Sequence, residues 1–355
     1  PLMGKANQPI ADAVDMIVRA KPSRPIRICT IGQAGARKPQ KDCRAQWLKN
    51  TPEVVSEASA TAYFFADYLQ KVLDVPVGII VSSWGGTAIQ AWMSREVLAP
   101  FKAFDLRFLD DTTSIERPKY KPCMLYNAMI APVEQYTIKG FLWYQGESNR
   151  KDPDLYRRLQ PAFVKMLREA WGQGELPFYY VQIAPFAYEG AELVGSALLR
   201  EAQLLNLKEI PNSNMVVTMD IGDRNCIHPA RKRKVGERLA LLALSGSYGL
   251  KGFVPDTPVY QSMEVANGKA YLAFDCGSEG LAPLGATISG VEVAGSDHVF
   301  YPATAQIEKY TGRLEVSCAP VAVRYCFRNY EQGTLYSRYG IPVASFRTDT
   351  WEVKE

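Results

Sequence analysis

A single histidine and a pair of glycines are the residues of this sequence that most directly suggest chemistry. His228 is one of only two histidines among the 355 residues, and it precedes a predicted helix start at Pro229. Gly85 and Gly86 follow an apolar run, and a helix is predicted to begin there with its backbone N–H groups free. An imidazole can take the proton of a hydroxyl nucleophile, and fixed N–H groups can bind the resulting oxyanion. These residues predict an acyl-transfer site.

Polar side chains follow two further apolar runs. Gln145, Glu147 and Asn149 come after "GFLWY", and Asp223 comes after "VVTMDIG" on the way to His228. Each feature also has a purely structural interpretation, since glycine pairs form tight turns and polar residues or a histidine can cap helices. The chemical interpretation rests on the fact that all three features occur at the same kind of position in the predicted fold. All three places follow predicted strands, and ligands bind at the carboxyl ends of strands in open parallel sheets.

Strand-like runs alternate with helical patterns through the first two thirds of the chain. The strand-like runs lie at 24–31, 75–83, 138–146, 177–185 and 214–222. The helical patterns lie at 52–74, 155–170, 195–209 and 230–246. Apolar residues in the later runs do not alternate with polar ones, which predicts fully buried strands in a parallel sheet covered on both faces. The fold class predicted for this part is therefore α/β.

The pattern changes near Gly249, where shorter alternating strands replace the buried ones. Residues 263–274 contain an Asn267-Gly268 pair, which is typical of a two-residue hairpin turn. We predict an α/β domain over residues 1–249 and a β-rich C-terminal region over 250–355 that packs against it.

Composition excludes several classes of protein. The formal net charge is +4 and 47% of residues are apolar, with no apolar run long enough to span a bilayer, so neither nucleic acid nor a membrane span is expected. Seven cysteines form no CxxC pair, and two histidines give no zinc-binding pattern. No Walker loop or GxGxxG motif occurs, so we expect no metal and no cofactor.

Three long segments resemble a known family. "VPVGIIVSSWGGTAIQAWMS", "LYNAMIAPVEQYTIKGFLWYQGESN" and "MDIGDRNCIHPARKRKVGERLALLAL" resemble the sialate O-acetylesterase family of SGNH-type hydrolases, and the C-terminal region looks similar to that family's ending. The resemblance implies a flavodoxin-like three-layer α/β/α sheet and an enzyme that removes acetyl groups from sugar hydroxyls through an acyl-enzyme. It implies that His228 is the catalytic histidine, and that Gly85, Gly86, Gln145 and Glu147 shape the oxyanion hole and acetyl pocket.

The expected partner is an O-acetylated sialic acid or another acetylated glycan. Trp84, Asn149, Arg324 and Arg347 are candidate contacts for its ring or carboxylate. We expect a periplasmic or secreted location, although these residues contain no signal segment, and the sequence predicts no oligomeric state.

The sequence departs from the family pattern at the nucleophile. The family's serine lies in a Gly-Gln-Ser-Asn motif, and a segment like "PLMGKANQPI" follows it in relatives, so we expect the serine upstream of Pro1 on an interior first strand. The segment "IGQAG" (31–35) is similar to that motif with Ala34 in place of the serine, but it lies too late in the chain and matches the family's next segment. Ser82, Ser83 and Ser148 are weaker alternatives. Strand alternation directs Ser82 and Ser83 to opposite faces, and neither lies on a sharp strand-to-helix turn.

The second departure concerns the partner of the imidazole. Relatives often have an aspartate two or three residues before the histidine, where this chain has Cys226 and Asn225. Either Asp223 orients His228, or a backbone carbonyl does so and leaves a Ser-His dyad. Cys226 itself is poorly placed to be a nucleophile served by this histidine.

Three functions follow from these observations. The leading hypothesis is a serine esterase that deacetylates sialic acids, and the alternative within the same class is an acetylesterase acting on xylan or another polysaccharide. A non-catalytic glycan-binding remnant is the alternative from a different class, and it is favoured if the serine is truly missing.

Overall fold

The parallel strands predicted from the sequence form two small sheets. The computed structural model describes residues 1–5, 8–276 and 280–353. Strands β1 (Ile26–Thr30), β2 (Trp47–Lys49) and β3 (Val77–Val81) form one sheet in the order β2-β1-β3. Strands β4 (Phe141–Tyr144), β5 (Phe178–Val181) and β6 (Ser213–Val216) form the other in that order. All neighbouring pairs are parallel except β1 with β2. The predicted α/β fold with parallel strands is confirmed.

Seven α-helices and several short helical turns connect these strands in the described part of the chain. The α-helices are α1 (Ala13–Val18), α2 (Pro52–Glu57), α3 (Ala60–Leu73), α4 (Arg95–Leu98), α5 (Pro153–Trp171), α6 (Gly195–Glu209) and α7 (Lys232–Gly246). The short turns are a π-helix at Tyr126–Ile130 and 3₁₀ helices at Ile89–Trp92, Arg107–Asp110, Pro118–Tyr120, Ala131–Val133 and Glu147–Asn149.

The single helix predicted over residues 52–74 is wrong, because the chain breaks between α2 and α3. Ala58 has an extended backbone, with ψ at 157°. Ser59 then starts a new helix, and its hydroxyl accepts a hydrogen bond from the N–H of Ala62 at 3.4 Å. A serine competes well for helix N-terminal N–H groups, so the periodicity continues across a break that the cap residue creates.

Side chains of β5 point alternately into two different apolar clusters. Phe178 and Tyr180 pack in a large cluster with the buried face of α5, whereas Tyr179 and Val181 pack in a second cluster with α3 and α7. Alternation of this kind is the period-two geometry of a strand, and it buries both faces of the sheet.

Helices α3 and α7 pack against each other with almost no space between their backbones. A Cβ added at Gly236 of α7 would lie 2.6 Å from Cβ of Phe64 and 2.8 Å from the backbone oxygen of Thr61, both on α3. The cluster beneath these helices includes Val77 of β3 together with Tyr144 of β4, so the helix pair covers both three-stranded sheets.

Strands β3 and β4 are less buried than the sequence predicts. Only Ile79 is buried in β3, and Leu142 of β4 is 36% exposed, whereas all four residues of β5 are buried. The prediction of fully buried strands at 75–83 and 138–146 is therefore wrong for this structure. The reason is the number of neighbouring strands, because within the described residues β3 and β4 each have only one hydrogen-bonded strand neighbour.

The C-terminal region is built from antiparallel strands, as predicted. Two four-stranded sheets have the orders β11-β10-β14-β16 and β12-β13-β8-β7, and β15 pairs with β9. Their bounds are β7 Val259–Ala266, β8 Lys269–Asp275, β9 Leu281–Ala282, β10 Val291–Ala294, β11 Phe300–Pro302, β12 Ala305–Ile307, β13 Leu314–Val316, β14 Ala322–Tyr325, β15 Tyr336–Ser337 and β16 Phe346–Arg347. The hairpin turn at Asn267-Gly268 is confirmed, with φ of 51° and 76°.

The C-terminal region is joined to α6 by buried polar contacts. The Asn329 side chain is fully buried, accepts a hydrogen bond from the N–H of Ser196 at 2.8 Å and donates one to the carbonyl of Gly190 at 3.0 Å. Arg200 of α6 is also fully buried and donates to Ser345 Oγ at 3.0 Å. These contacts support a fixed docking, whereas the boundary between residues 249 and 250 stays a prediction.

No helix in the described ranges combines the length and apolar character needed to cross a bilayer.

Candidate active site

A cavity of about 1120 Å³ opens at the carboxyl ends of β1 and β3. Its wall includes the last residue of each strand, the loop after β1, and the segment that leads into α7. Its lining residues include Thr30, Gln33, Val81, Ser83, His228 and Lys232. The cavity therefore lies where an open parallel sheet is expected to bind its ligand.

His228 faces this cavity with an unengaged imidazole. The residue is exposed, and its ring makes no hydrogen bond to any other described residue. Partial burial lowers the pKa of the His228 imidazole, and the nearby positive charges of Lys232 and Lys5 lower it further. A neutral imidazole can accept a proton, so these surroundings favour the form that a general base requires.

The carboxylate of Asp223 binds backbone N–H groups of its own turn. Its Oδ1 atom accepts hydrogen bonds from the backbone N–H groups of Asn225 at 2.8 Å and Cys226 at 3.1 Å. Asp220, the other acid of this segment, pairs with Arg238 and Lys234 on α7. Among the described residues no carboxylate contacts the imidazole, so a role for Asp223 in orienting His228 stays a prediction.

Lys232 links the histidine segment to the second sheet. It lies at the start of α7, four residues after His228, and its Nζ is 3.2 Å from the hydroxyl of Tyr144. The same ammonium group lies 4.7 Å from the centre of the Tyr144 ring. Tyr144 is the last residue of β4, so the carboxyl ends of β1, β3 and β4 lie on the same edge of the fold as His228.

Gln145 and Asn149 connect the ends of β3 and β4 through buried amide groups. Gln145 Nε2 donates to the carbonyl of Thr87 at 3.1 Å and to Asn149 Oδ1 at 2.8 Å. Asn149 Oδ1 also accepts from the N–H of Ile89 at 2.9 Å. Gln145 Oε1 is buried and has no hydrogen-bond partner in the described chain. A buried acceptor of this kind normally has a donor, which a bound water or a ligand group would supply.

Glu147 lies half-buried beside this network. Burial raises the pKa of its carboxyl group, and the positive charge of Lys232 opposes that effect. The preceding Gly146 cannot carry a side chain, because an added Cβ would lie 2.6 Å from Cγ2 of Ile183. The close approach of the Gly146 backbone to Ile183 fixes the position of the neighbouring Glu147 Cα, from which the Glu147 side chain extends.

The prediction that Gly85 and Gly86 open a helix is wrong. They form a turn in which Gly86 has a φ of 75°, and the next helical segment is the single 3₁₀ turn at Ile89–Trp92. Lys119 Nζ donates to the Gly85 carbonyl at 3.1 Å, and an added Cβ at Gly85 would meet no atom within 4 Å. The turn is exposed to solvent and does not line the cavity that holds His228, so its oxyanion role stays a prediction.

The three predicted sugar contacts outside this network lie in different surroundings, and Arg324 of β14 is buried and paired with Asp349. Trp84 is half-buried against the large apolar cluster and precedes the glycine turn. Arg347 of β16 pairs with both carboxylate oxygens of Glu201 at 2.8 Å and donates to the Trp351 carbonyl. Its guanidinium is thus engaged within the protein, and Arg347 does not line the cavity that holds His228.

The structure also places residues at the cavity that the sequence prediction set aside or missed. Ser83 lies on the same wall as His228, and Arg44 and Lys5 line it from other segments. The spacing of Lys232 after His228 on a predicted helix could have indicated its position. Nothing in the sequence pattern indicates Arg44, because its position depends on how the loop between β1 and β2 folds back. No group of three or more metal-binding side chains occurs among the described residues.

The charge of Lys232 gives a prediction for the pH dependence of catalysis. A general base with a lowered pKa stays neutral to a lower pH. The midpoint of the acid limb in the pH profile of kcat/KM should therefore lie below about pH 6.5. Lys232→Gln removes a positive charge near the imidazole and should move that limb to higher pH. The control is Lys234→Gln, which removes a charge paired with Asp220 and should leave the limb in place. Equal pH profiles for both variants would contradict the proposed electrostatic effect.

An imidazole in a cavity at the carboxyl ends of parallel strands is suited to act as the general base of a hydrolytic enzyme. Residues 15–245 match the family described as carbohydrate esterase, sialic acid-specific acetylesterase. The match covers more than half of the chain, so the chain belongs to this family of carboxylic ester hydrolases. The resemblance recognised in the sequence is confirmed.

Individual relatives agree with this assignment. The sialate O-acetylesterases of Pongo abelii and Homo sapiens are each 32% identical to this chain over 274 residues, which covers 70% of the chain and 52% of each relative. The chain thus spans about half the length of these relatives. A solved structure described as a novel carbohydrate acetylesterase from Xanthomonas citri superposes with a TM-score of 0.85 at 35% identity, covering 99% of this chain and 78% of that one.

Proposed function

We propose that the complete protein is a serine esterase that removes O-acetyl groups from sialic acids or related glycans. The observation that carries the proposal is the unpaired imidazole of His228 in a large cavity at the carboxyl ends of parallel strands. Family membership supports the ester as substrate, and the names of the relatives support an acetylated sugar.

We propose that the nucleophilic serine lies on a further strand between β3 and β4, outside these 355 residues. Three observations support this position. The two strands have partly exposed side chains, each has only one described hydrogen-bonded neighbour, and the same apolar cluster under α3 and α7 contains side chains of both. An inserted strand would join the two sheets into one flavodoxin-like sheet with helices on both faces.

The proposed reaction follows the acyl-enzyme scheme. His228 takes the serine proton while the serine oxygen attacks the acetyl carbonyl carbon, and the carbonyl oxygen becomes an oxyanion. Backbone N–H groups near Gly86 and the second amide N–H of Asn149, whose first N–H donates to Gln90, would stabilise that charge. The protonated imidazole then gives its proton to the sugar oxygen as the C–O bond breaks. Water, activated by the same imidazole, releases acetate.

A polysaccharide acetylesterase is the second candidate. The Xanthomonas citri structure covers nearly the whole chain and is named for carbohydrate deacetylation without reference to sialic acid. The chemistry at His228 would be the same, and only the contacts to the sugar would differ.

Covalent labelling tests both the activity and the place of the nucleophile. The complete polypeptide should hydrolyse p-nitrophenyl acetate and react with a fluorophosphonate at one serine, which peptide mass spectrometry should place outside Pro1–Glu355. Labelling should be greatly slowed in His228→Ala. A label on Ser83, which lines the cavity, would overturn the strand assignment. Absence of both hydrolysis and labelling would overturn the esterase.

A further inference from the structure

We propose that Arg44 and Lys5 form a subsite for the carboxylate of an anionic acetylated sugar, within the cavity that holds His228. This inference rests on the proposed esterase function, and it selects a sugar acid over a neutral polysaccharide as the preferred substrate.

The first argument is the charge of the cavity wall. The described residues that line it include three cations, Lys5, Arg44 and Lys232, and a single carboxylate, Glu57. His228 is the remaining titratable side chain on this wall, and burial and the nearby lysines keep its pKa low. The wall therefore has a positive balance near neutral pH. A positive cleft concentrates anionic ligands and repels cationic ones.

The second argument is that two of the three cations have no partner within the described chain. Lys232 contacts the hydroxyl and the ring of Tyr144. By contrast, neither the Lys5 ammonium nor the Arg44 guanidinium makes a hydrogen bond or an ion pair with any described residue. A carboxylate that entered the cavity could therefore bind these two groups without displacing an existing ion pair.

The third argument is that the backbone positions Arg44 at the end of β1. Its carbonyl accepts a hydrogen bond from the N–H of Gly32 at 2.7 Å, which holds the loop against the strand end. A Cβ added at Gly32 would lie 3.1 Å from both Cβ and Nε of Arg44. The side chain thus passes directly over Gly32, and the planar guanidinium can offer two parallel N–H donors to a carboxylate.

The arrangement suits one monosaccharide that carries both an acetyl ester and a carboxylate. Lys5 lies close enough to His228 for its charge to contribute to the lowered pKa of the imidazole, so the cations and the base share one space. In a sialic acid one of the two carbons bonded to the ring oxygen carries the carboxylate, and the other carries the exocyclic chain, whose hydroxyls can bear acetyl esters. Its carboxylate could bind the cations while an ester lies at the imidazole. A neutral acetylated pentose has no group for the cations.

Substrate charge and cavity charge can be varied independently in one experiment. Using the complete polypeptide, kcat and KM are measured for an O-acetylated sialic acid, its carboxylate methyl ester, an acetylated xylo-oligosaccharide and p-nitrophenyl acetate. The wild type should prefer the acid over its methyl ester by about tenfold or more in kcat/KM, through KM. Arg44→Gln and Lys5→Gln should each reduce that preference, and the double variant should abolish it. The matched control is Lys41→Gln, in the same loop but outside the cavity wall, which should keep it.

The outcomes separate this inference from the esterase proposal. If no ester is hydrolysed, the proposed function fails. If p-nitrophenyl acetate is hydrolysed but the wild type treats the acid, its methyl ester and the xylo-oligosaccharide alike, only the subsite fails. The comparison of acid with methyl ester uses the wild type alone, so it remains decisive if a variant does not fold. An unchanged preference in a folded double variant would also overturn the subsite.

Discussion

Replacing His228 with alanine is expected to lower kcat/KM for acetyl esters by about 10³-fold, because no other imidazole lines the cavity among the residues that the structure describes. The loss should lie mainly in kcat, since the proton transfer occurs in the transition state. The side chain is exposed and makes no hydrogen bond within the described residues, so the free energy of unfolding should change by less than about 0.5 kcal/mol. Steady-state kinetics and urea denaturation measure the two effects.

The second histidine of the chain supplies the control. His298 stacks on Trp351 in the C-terminal region, with ring centres 3.6 Å apart, and it does not line the cavity. His298→Ala should keep wild-type kinetics. If His228→Ala also keeps them while it folds normally, the imidazole is not the general base and the proposed mechanism is wrong.

Gly236→Ala is expected to reduce the free energy of unfolding by about 2 kcal/mol. Alanine in a helix interior ordinarily stabilises by up to about 1 kcal/mol relative to glycine. Here the added methyl group would lie 2.6 Å from Cβ of Phe64 and 2.8 Å from backbone atoms of α3, so the two helices would have to move apart. The sign of the change in unfolding free energy therefore indicates how closely α3 and α7 approach each other.

Urea denaturation of a matched glycine variant completes the test. In Gly295→Ala the added Cβ finds its nearest atom, Asp297 Oδ1, at 3.6 Å, which is ordinary contact. This control should unfold within about 0.5 kcal/mol of wild type. A stabilised Gly236→Ala protein would show that the helices are farther apart than described.

Much of the fold follows from local pattern. The helix predicted at 195–209 has those bounds in α6, and β5 lies inside the run predicted at 177–185. The hairpin at Asn267-Gly268 follows because both residues adopt positive φ easily. In each case the signal is contained in the segment itself, so no knowledge of distant contacts is needed.

The features that sequence failed to predict depend on neighbours outside the segment. The exposure of Leu142 reflects which strand lies beside β4, and the engagement of Arg347 reflects the position of Glu201 on α6. The Gly85-Gly86 turn does not start a helix, and the chain remains irregular until Ile89. Apolar runs and single arginines contain no information about these partners.

The candidate site divides in the same way. His228 and Gln145 could be identified from residue type and from their place after predicted strands, and the structure puts both at the same edge of the fold. Ser83 and Arg44 belong to the cavity only because loops after β1 and β3 meet there. Long-range packing decides which polar loop residues share a cavity, and that information is absent from any one segment.

Within the described residues β3 and β4 each have a single strand neighbour, and the strand proposed between them would affect how activity is acquired during folding. If the nucleophile arrives on the strand that fills this gap, the event that completes the sheet also completes the catalytic machinery. Partly folded molecules would then hold a base without a nucleophile, and so could not attack acetyl esters prematurely. Hydrolysis would become a direct reporter of correct assembly.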